Sequence, residues 1–496
     1  MPTPQDEEAR AALRDEDAEG FTDVESSPTL PSATLARAAS APAEPIPAVH
    51  DTYREIWTLS WPVMLGQVLV NAVSLIDIAM VGRLGSDAVA AVGYATQFFF
   101  VSQSVLFAVG FACVALMARS IGAGDPARAR RALAAALEVS VAVSLIVIGV
   151  VLVAPRAWLR LLGAQPAVIE AAVPYLTLLL GSSVLLAVSI TIESGLRAAR
   201  NTKTPMQIAL VVAVVKTLLN SLLIFGALGF PRLELVGAGI ATVAAQAVGV
   251  ALFIAVARRA GPHAAVGLRR GDLPAARPLV REVVRIAAPS VGERLAMNLA
   301  LLAYFRVLSE YGAVAIAAYT VGIRVLAFSW IPGTGFGAAA ATLVGQALGA
   351  GDPRAAARAG WRSTGLAVFV AVALGGACAL ARTPLARLFT DDLPLIAELG
   401  PFLLCLALAQ PFLQAHFTLG GAHRGAGDTW TPFVAAAFAN WALRVPLAFF
   451  LAYALRADVV WIWYTLMLDH FARTAWLARS FRRGRWRERL SAHPSS

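Results

Sequence analysis

Residues 122–154 read GAGDPARARRALAAALEVSVAVSLIVIGVVLVA. The stretch begins with a turn sequence, continues through three closely spaced arginines, and ends in an uncharged apolar run from 139 to 154. A helix needs roughly 20 apolar residues to cross about 30 Å of hydrocarbon. Short basic loops beside such runs are typical of the cytoplasmic side of a membrane. The stretch therefore predicts a membrane-spanning helix that begins at the cytoplasmic face.

Apolar runs of this kind recur along nearly the whole chain after residue 55. Twelve are present, at approximately 57–82, 92–119, 133–154, 168–194, 206–228, 235–257, 283–308, 314–346, 364–381, 394–419, 431–454 and 458–478. The chain of 496 residues is 58% apolar and 15% charged, whereas soluble domains are about a quarter charged. Lipid cannot hydrogen-bond an exposed backbone, and these runs are far longer than the ~10-residue strands of membrane barrels. The sequence predicts an all-α integral membrane protein with twelve transmembrane helices.

The net charge of +10 does not indicate a nucleic-acid partner, because the arginines lie in short loops between apolar runs. The loops after even-numbered spans are the basic ones, which predicts a multi-pass protein of the inner membrane with both termini in the cytoplasm. Residues 1–53 are acidic and poor in apolar side chains, and we expect a disordered cytoplasmic tail rather than a signal peptide. Residues 481–496 form a second, basic cytoplasmic tail.

The sequence lacks the motifs of an ATP-driven or metal-dependent protein. No glycine-rich run ends in Gly-Lys-Ser or Gly-Lys-Thr, so an ion gradient is the expected energy source. Cys113, Cys378 and Cys405 all lie inside apolar runs without metal-ligand spacing. We expect buried thiols, no metal and no cofactor other than a coupling ion, H⁺ or Na⁺.

The chain repeats itself at an offset of 227 residues (349 − 122). Three groups of identical residues are related by this offset, each pair in the order given. The first group is Arg54, Glu55, Pro62, Asn71 and Gly85, which correspond to Arg281, Glu282, Pro289, Asn298 and Gly312. The second is residues 122–126, which correspond to 349–353, and the third is Arg197, Ala199, Thr202, Thr204 and Pro205, which correspond to Arg424, Ala426, Thr429, Thr431 and Pro432. Each half holds six spans, an even number, so both halves enter the membrane in the same sense. We predict a first half at 54–257, a cytoplasmic linker at 258–280 and a second half at 281–480, with the two lobes around a central cavity.

Several motifs in register resemble the MATE family, the multidrug and toxic compound extrusion transporters. They are Trp61-Pro62, Leu75-Ile76-Asp77, residues 81–85 (VGRLG), the two GAGDP loops, residues 331–337 (IPGTGFG), residues 343–351 and residues 424–429. The likeness covers roughly 54–480, and Asp77 is similar to the acid of the DinF-like branch. The resemblance implies a twelve-helix antiporter that exports organic, often cationic, compounds in exchange for protons or sodium ions.

Ionisable groups inside a membrane cost several kcal/mol, so each is a functional candidate. Asp77 lies about 20 residues into span 1, in its outer half, where the resemblance implies an ion-coupling acid. Burial favours the protonated form of a carboxylate and a nearby cation favours the ionised form, so one acid can exchange a proton for a cargo. Lys216 in span 5 is the expected partner of Asp77. Pro62 should bend span 1, because proline removes a backbone hydrogen bond, and we expect it to act as a helix switch.

Polar side chains elsewhere in the spans either line a substrate cavity or join helices by hydrogen bonds. The cavity candidates are Gln67, Asn71, Gln97, Asn220 and Gln246 in the first half and Glu293, Gln410, Gln414, Asn440 and Arg444 in the second. Glu293 stands beside Arg294, which favours a structural ion pair over a role in the cavity. Asp469, His470 and Arg473 are expected in an interfacial cluster at the inner end of span 12.

The leading function is secondary efflux of amphipathic, cationic drugs or toxic metabolites by alternating access. We expect the transporter to be a monomer in contact with membrane lipid. A lipid-linked precursor flippase of the same superfamily is the alternative, and it would need a strongly basic cavity. A polytopic membrane enzyme is a distant third, because no paired intramembrane carboxylates or histidine cluster stands out. We therefore expect a transporter and no enzymatic activity.

Overall fold

A computed structural model describes residues 52–259, 264–267, 269 and 271–487, apart from the side chains at 324–327 and 388–389. The acidic tail predicted at 1–53 lies outside the described residues except for Thr52 and Tyr53. The basic tail predicted at 481–496 is described only as far as Arg487.

The first half of the described chain is helical throughout. Its helices are α1 Tyr53–Gly82, α2 Ser86–Gly122, α3 Pro126–Leu152, the short α4 Pro155–Leu161, α5 Pro166–Ala198, α6 Lys203–Phe225 and α7 Glu234–Arg259. Within it α2 packs on α3 and α5, α5 packs on α7, and α6 packs on α1 and α7.

The second half follows the same plan. Its helices are α8 Asp272–Leu308, α9 Gly312–Ser329, α10 Ile331–Gly349, α11 Pro353–Leu380, the short α12 Arg382–Phe389, α13 Leu393–Gly425, α14 Trp430–Phe438, α15 Val445–Phe449 and α16 Val459–Arg483. Two π-helical segments, Ala439–Arg444 and Phe450–Ala454, continue the span that α14 and α15 begin.

These helices account for the twelve predicted spans. By length and composition, ten helical segments of the described chain can cross a membrane. One of the ten, Asp272–Ile323, joins α8 to most of α9 and so holds span 7 and the first part of span 8, whereas α10, the second part of span 8, is not among the ten. The last span, α16, is not among the ten because its charged residues lower its hydropathy.

The duplication read from the sequence is also present in the structure. The helices that begin at 126, 155, 166 and 203 have counterparts that begin at 353, 382, 393 and 430, each 227 residues later (353 − 126 = 227). The two short helices α4 and α12, which the sequence analysis did not predict, are one of these pairs. A repeat that extends to unpredicted elements is strong evidence for an internal duplication.

The two GAGDP loops form the helix starts expected of them. Asp125 caps α3 by accepting a hydrogen bond from the backbone N–H of Arg128, 2.8 Å away. Asp352 caps α11 in the same way, accepting from Ala355 N–H at 2.8 Å. The glycine before each aspartate has positive φ, 73° at Gly124 and 74° at Gly351, which glycine adopts at little cost. The predicted turn is therefore confirmed, and the structure shows that the aspartate of each loop caps the helix that follows.

Two boundaries differ from the prediction. Span 8 was expected as one helix over 314–346, but it breaks at Trp330, because Pro332 can start a helix but cannot continue one. The linker was expected to reach residue 280, but α8 already begins at Asp272, and Asp272 forms a largely buried ion pair with Arg130 of α3 at 3.4 Å.

Candidate functional site

Asp77 joins two helices of the first half. On α6, Lys216 Nζ donates a hydrogen bond to Asp77 Oδ2, and Asn220 Nδ2 donates to Asp77 Oδ1 at 2.6 Å. Lys216 and Asn220 are four residues apart, so both reach the carboxylate from one face of α6. The side chains of Asp77 and Lys216 remain 25% and 20% exposed, whereas Asn220 is buried. The site is thus a paired carboxylate that ions can still approach.

Tyr175 of α5 is a member of this site that sequence reasoning missed. Its ring is buried in a cluster with Val81 of α1 and Ile224 of α6, and it interacts electrostatically with Asp77. A tyrosine next to Pro174 within a long apolar run was the available signal. Three helices, α1, α5 and α6, therefore meet at one carboxylate.

The second half has a repeat-related site without an acid. Tyr304 is the counterpart of Asp77 (304 − 77 = 227), and the Arg444 guanidinium lies over its ring, 4.2 Å from the centroid. Arg444 comes 228 residues after Lys216 (444 − 216), one more than the repeat spacing. A π-helical turn at Ala439–Arg444 takes up the additional residue. The cation is retained and the carboxylate is replaced by a phenol, so the two repeat-related sites differ in their acidic group.

The other polar candidates of the first half remain unpaired. Gln67, Asn71, Gln97 and Gln246 are exposed or half-buried, and none makes a side-chain hydrogen bond within the described residues. Their amides are therefore available to a ligand. Their assignment to a substrate cavity stays a prediction.

The second-half candidates are mostly engaged with the protein itself. Glu293 accepts two hydrogen bonds from Arg424 Nη2, at 2.9 and 2.8 Å, rather than pairing with its neighbour Arg294. Gln414 is fully buried and donates to Ser329 O at 2.6 Å and to Gln410 Oε1 at 3.0 Å. Asn440 is also fully buried. In this conformation the structure does not place Gln410, Gln414 and Asn440 on an open surface. Gln414 joins α13 to α9, whereas the hydrogen bond of Asn440 to Ala436 O stays within its own span.

The polar residues of the last span form a buried cluster, which the sequence analysis had expected at the interface. Arg473 donates two hydrogen bonds to Asp469, at 3.0 and 2.8 Å, and Asp469 has no exposed surface. The ring of His470 stacks on that of His416 with centroids 5.1 Å apart. The cluster is therefore packed between α16 and α13 inside the protein, and its position at the membrane interface stays a prediction.

Pro62 lies where α1 crosses the second half. The helix continues through the proline from Tyr53 to Gly82. A methyl group on Gly335 of α10 would lie 2.8 Å from Ser60 O and 2.6 Å from Met64 Cγ, so the two helices are in close contact on both sides of Pro62. Pro62 and Asp77 are 15 residues apart, about 22 Å along a helix. A bend at Pro62 would therefore move α1 relative to α10.

Polar contacts between the halves gather at the end that carries the basic loops. Arg200, in the loop between α5 and α6, donates to Glu55 Oε1 and to Gln346 Oε1 of α10, both at 2.6 Å. Gln346 Nε2 in turn donates to Ala198 O at 2.7 Å, and Thr342 donates to Arg197 O at 3.1 Å. Burial lowers the pKa of Arg200, and the nearby Glu55 carboxylate offsets only part of this shift.

The repeat-related residues interact across the same end of the molecule without a hydrogen bond between the described side chains. Glu282 is the counterpart of Glu55, and it interacts electrostatically with Arg119 of α2, the counterpart of Gln346. Each half therefore contributes one glutamate. Glu55 of the first half faces Arg200, and Glu282 of the second half faces Arg119. Arg200 has φ of 61°, and its counterpart Gly427 has φ of 80°, so the loop keeps its shape in both halves.

Two glycines bring α2 and α10 into backbone contact at this end. A methyl group on Gly122 would overlap the carbonyl of Gln346, and one on Gly349 would overlap the carbonyl of Arg119. These four residues form two repeat pairs, because 122 and 349, like 119 and 346, differ by 227. The crossing is therefore a pseudo-symmetric contact between the halves, and the first glycine of each GAGDP loop makes it.

Comparison with known proteins agrees with this architecture. The family model MatE matches residues 62–222 and again residues 289–450. The matches begin 227 residues apart (289 − 62) and end 228 apart (450 − 222), which agrees with one additional residue at the π-helical turn.

Relatives of similar length match nearly the whole chain. The probable multidrug resistance protein NorM of Bradyrhizobium diazoefficiens is 31% identical over 454 residues, which cover 89% of this chain and 96% of that protein. The protein of the same name from Thermotoga maritima is 28% identical over 457 residues, 90% of this chain and 95% of that one. A solved structure described as the outward-facing conformation of a multidrug resistance MATE family transporter of the MOP superfamily has a TM-score of 0.78 at 20% identity, covering 87% of this chain and 96% of that chain.

A duplicated bundle of membrane-length helices that matches this family model and these relatives is a multi-pass membrane transporter rather than an enzyme. The chain belongs to the MatE family. The twelve-helix, all-α membrane fold predicted from the sequence is thereby confirmed.

Proposed function

We propose that the protein is an antiporter that exports amphipathic, cationic organic compounds in exchange for protons. The multidrug resistance names of relatives that match nearly the whole chain support efflux of such compounds. The observation that carries the proposal is the contact of Asp77 with both Lys216 and Asn220.

Protonation of Asp77 would change the contact between α1 and α6. The ionised carboxylate accepts hydrogen bonds from both α6 side chains, and a neutral carboxylic acid is a much weaker partner for the Lys216 ammonium. A proton that enters from outside therefore weakens the link between the two helices. The other end of α1 crosses α10 at Pro62, so a movement of α1 reaches the interface between the halves.

Protons fit this site better than sodium ions. Hard cations bind to sets of oxygen ligands, and here the ammonium of Lys216 occupies one carboxylate oxygen. A metal ion would have to displace that ammonium or bear its repulsion. A proton needs only one carboxylate oxygen. Sodium coupling is the alternative outcome of the test below.

A cationic cargo is better accommodated beside the first half than beside the second. Asp77 and Lys216 together are neutral, and the unpaired amides of Gln67, Asn71 and Gln246 add acceptor oxygens. In the second half Arg424, Arg444 and Arg473 outnumber the carboxylates of Glu293 and Asp469 that face them. A cation approaching the second half meets net repulsion.

The contacts between the halves favour an outward-facing state. The Arg200–Gln346 contact and the α2–α10 crossing close the end that carries the basic loops, and we assign that end to the cytoplasm of an inner-membrane protein. Alternating access then requires these contacts to open. We propose that a monomer suffices, because both halves of the cavity come from one chain.

A lipid-linked precursor flippase would need free cations in its cavity. Of the arginines within the second-half spans, Arg424 is bound to Glu293, Arg473 is bound to Asp469, and Arg444 lies over Tyr304. Arg294 makes no hydrogen bond with a described residue but interacts electrostatically with Glu293. Cationic efflux therefore fits the site better than transport of a polyanionic lipid.

The test is dye efflux in proteoliposomes with Asp77→Asn. We expect loss of ethidium transport driven by a pH gradient, with normal folding. Asp87→Asn, at the exposed start of α2, is the matched control and should transport normally. Normal transport by Asp77→Asn would refute the role of this acid, and transport driven only by a sodium gradient would identify Na⁺ as the coupling ion.

A further inference from the structure

A cavity of about 470 Å³ lies beside the cytoplasmic end of α16, away from Asp77 and from the contacts between the halves. Arg479 and Arg483 of α16 line it together with Arg485, which follows the helix. Its opposite wall includes Thr431 of α14. We propose that this cavity binds the head group of an anionic phospholipid of the cytoplasmic leaflet.

The three arginines face the cavity without partners of their own. All three are exposed, and none makes a hydrogen bond or an ion pair with any described residue. Arg479 and Arg483 are one helical turn apart, so both guanidinium groups lie on the same face. Arginine presents a planar set of donors that matches a phosphate group in two-pronged hydrogen bonds.

The position of Arg485 is fixed by the structure. Gly484 ends α16 with φ of 75°, which turns the chain back toward the helix. Trp486 is then buried, stacks on Phe481 with ring centroids 4.5 Å apart, and donates to Phe481 O at 2.8 Å. The third arginine is thereby held beside the other two before any ligand arrives, which lowers the entropy cost of binding.

Among the described residues, Asp428 is the one acid on the wall, and it is committed elsewhere. It is buried, accepts a hydrogen bond from Thr431 Oγ1 at 2.6 Å, and lies 3.2 Å from His423 Nδ1. Burial raises the pKa of Asp428, but hydrogen bonds from His423 and Thr431 together hold it below its usual value. The carboxylate therefore stays ionised and paired, and the cavity keeps a net positive charge from its arginines.

The wall below the arginines is apolar, which favours a lipid over a soluble anion. Ala472, Ala475 and Trp476 line the cavity on the side of the membrane interior. Trp476 is 40% exposed and Trp430 is 53% exposed, and exposed tryptophans mark the interface between head groups and hydrocarbon. The arginines lie about one to two turns beyond Trp476, at the level of lipid phosphates. Basic pockets between helices at this level bind anionic head groups.

The test is native mass spectrometry of the full-length protein with phosphatidylglycerol and with phosphatidylcholine. We expect the wild type to retain phosphatidylglycerol in preference, and Arg479→Gln/Arg483→Gln to bind it about 30-fold more weakly. Arg258→Gln/Arg259→Gln, which removes the same charge from the exposed end of α7, should bind like the wild type. Thermal unfolding of each variant confirms that it folds.

Three results would overturn the proposal. Equal retention of phosphatidylglycerol by Arg479→Gln/Arg483→Gln would show that the lipid binds elsewhere. Displacement of the lipid by millimolar inorganic phosphate would indicate a site for free phosphate. Stronger lipid binding after deletion of the acidic residues 1–50 would indicate that this segment is the occupant. None of these results depends on transport, so the proposal and the antiport mechanism fail independently.

Discussion

Replacement of Gly349 by alanine should weaken the closed end of the molecule, which carries the basic loops and which we propose to be cytoplasmic. In the structure the added methyl group would overlap the carbonyl oxygen of Arg119 and lie 2.9 Å from the backbone nitrogen of Ala123. Both neighbours are backbone atoms, so they cannot rotate away. Overpacking of this kind costs about 1–3 kcal/mol, which corresponds to a change of roughly 5- to 150-fold in the ratio of closed to open molecules.

The assay is the distance between spin labels on the cytoplasmic ends of the halves. Arg128 at the start of α3 and Arg354 at the start of α11 are both exposed and accept labels after replacement by cysteine. We expect Gly349→Ala to increase the fraction of molecules at the longer distance. Gly122→Ala should do the same, because Gly122 makes the repeat-related contact.

Gly376→Ala is the matched control. It is the same change inside α11, where no atom lies within 4 Å of the new methyl group. It should leave the distances unchanged. Identical distance distributions for Gly349→Ala and Gly376→Ala would refute the idea that the glycine crossing keeps the cytoplasmic end closed.

Three further predictions concern other contacts. In a double-mutant cycle of thermal unfolding, Arg200→Gln and Glu55→Gln should show a coupling energy of about 1 kcal/mol, because the pair is largely but not fully buried. Additive effects of the two substitutions would show that the ion pair does not stabilise the fold. Asp428→Asn should lower the melting temperature at neutral pH. The pKa of Asp428 is held below 3.8, so its contribution is present above that pH and is lost as the pH falls through the lower, folded-state value; a difference from the wild type that already vanishes at pH 5 would contradict this assignment. Pro62→Ala should slow dye transport while dye binding is retained, because it removes a bending point near the crossing with α10; an unchanged transport rate would exclude the switch.

The fold could be predicted from the sequence because the membrane sets a requirement that each span meets with its own residues. Each span is an apolar run of the required length, and each GAGDP loop carries its own cap and turn residues. The repeat then predicted how the spans are arranged in two halves. The break at Trp330 was missed, although Pro332 was visible, because a proline inside an apolar run can either kink a helix or start a new one.

The candidate site was predictable only in part. Asp77 and Lys216 stood out because charges are rare in membrane spans, and the structure brings them together with Asn220. Tyr175 was missed because a tyrosine in an apolar run resembles ordinary packing. The pairing of Glu293 with Arg424, 131 residues away, could not be read from local sequence, and its neighbour Arg294 suggested a different partner. The correspondence of Arg444 with Lys216 was hidden by the π-helical turn, which shifts the repeat by one residue.

Proton release on cargo binding tests the coupling directly. Purified protein in weakly buffered detergent solution is mixed with ethidium at a series of pH values, and a pH indicator records the protons released at each. If cargo and proton exclude each other at Asp77, the wild type releases protons, whereas Asp77→Asn binds the dye without releasing any. Equal proton release from both proteins would contradict the assignment of this carboxylate as the coupling acid.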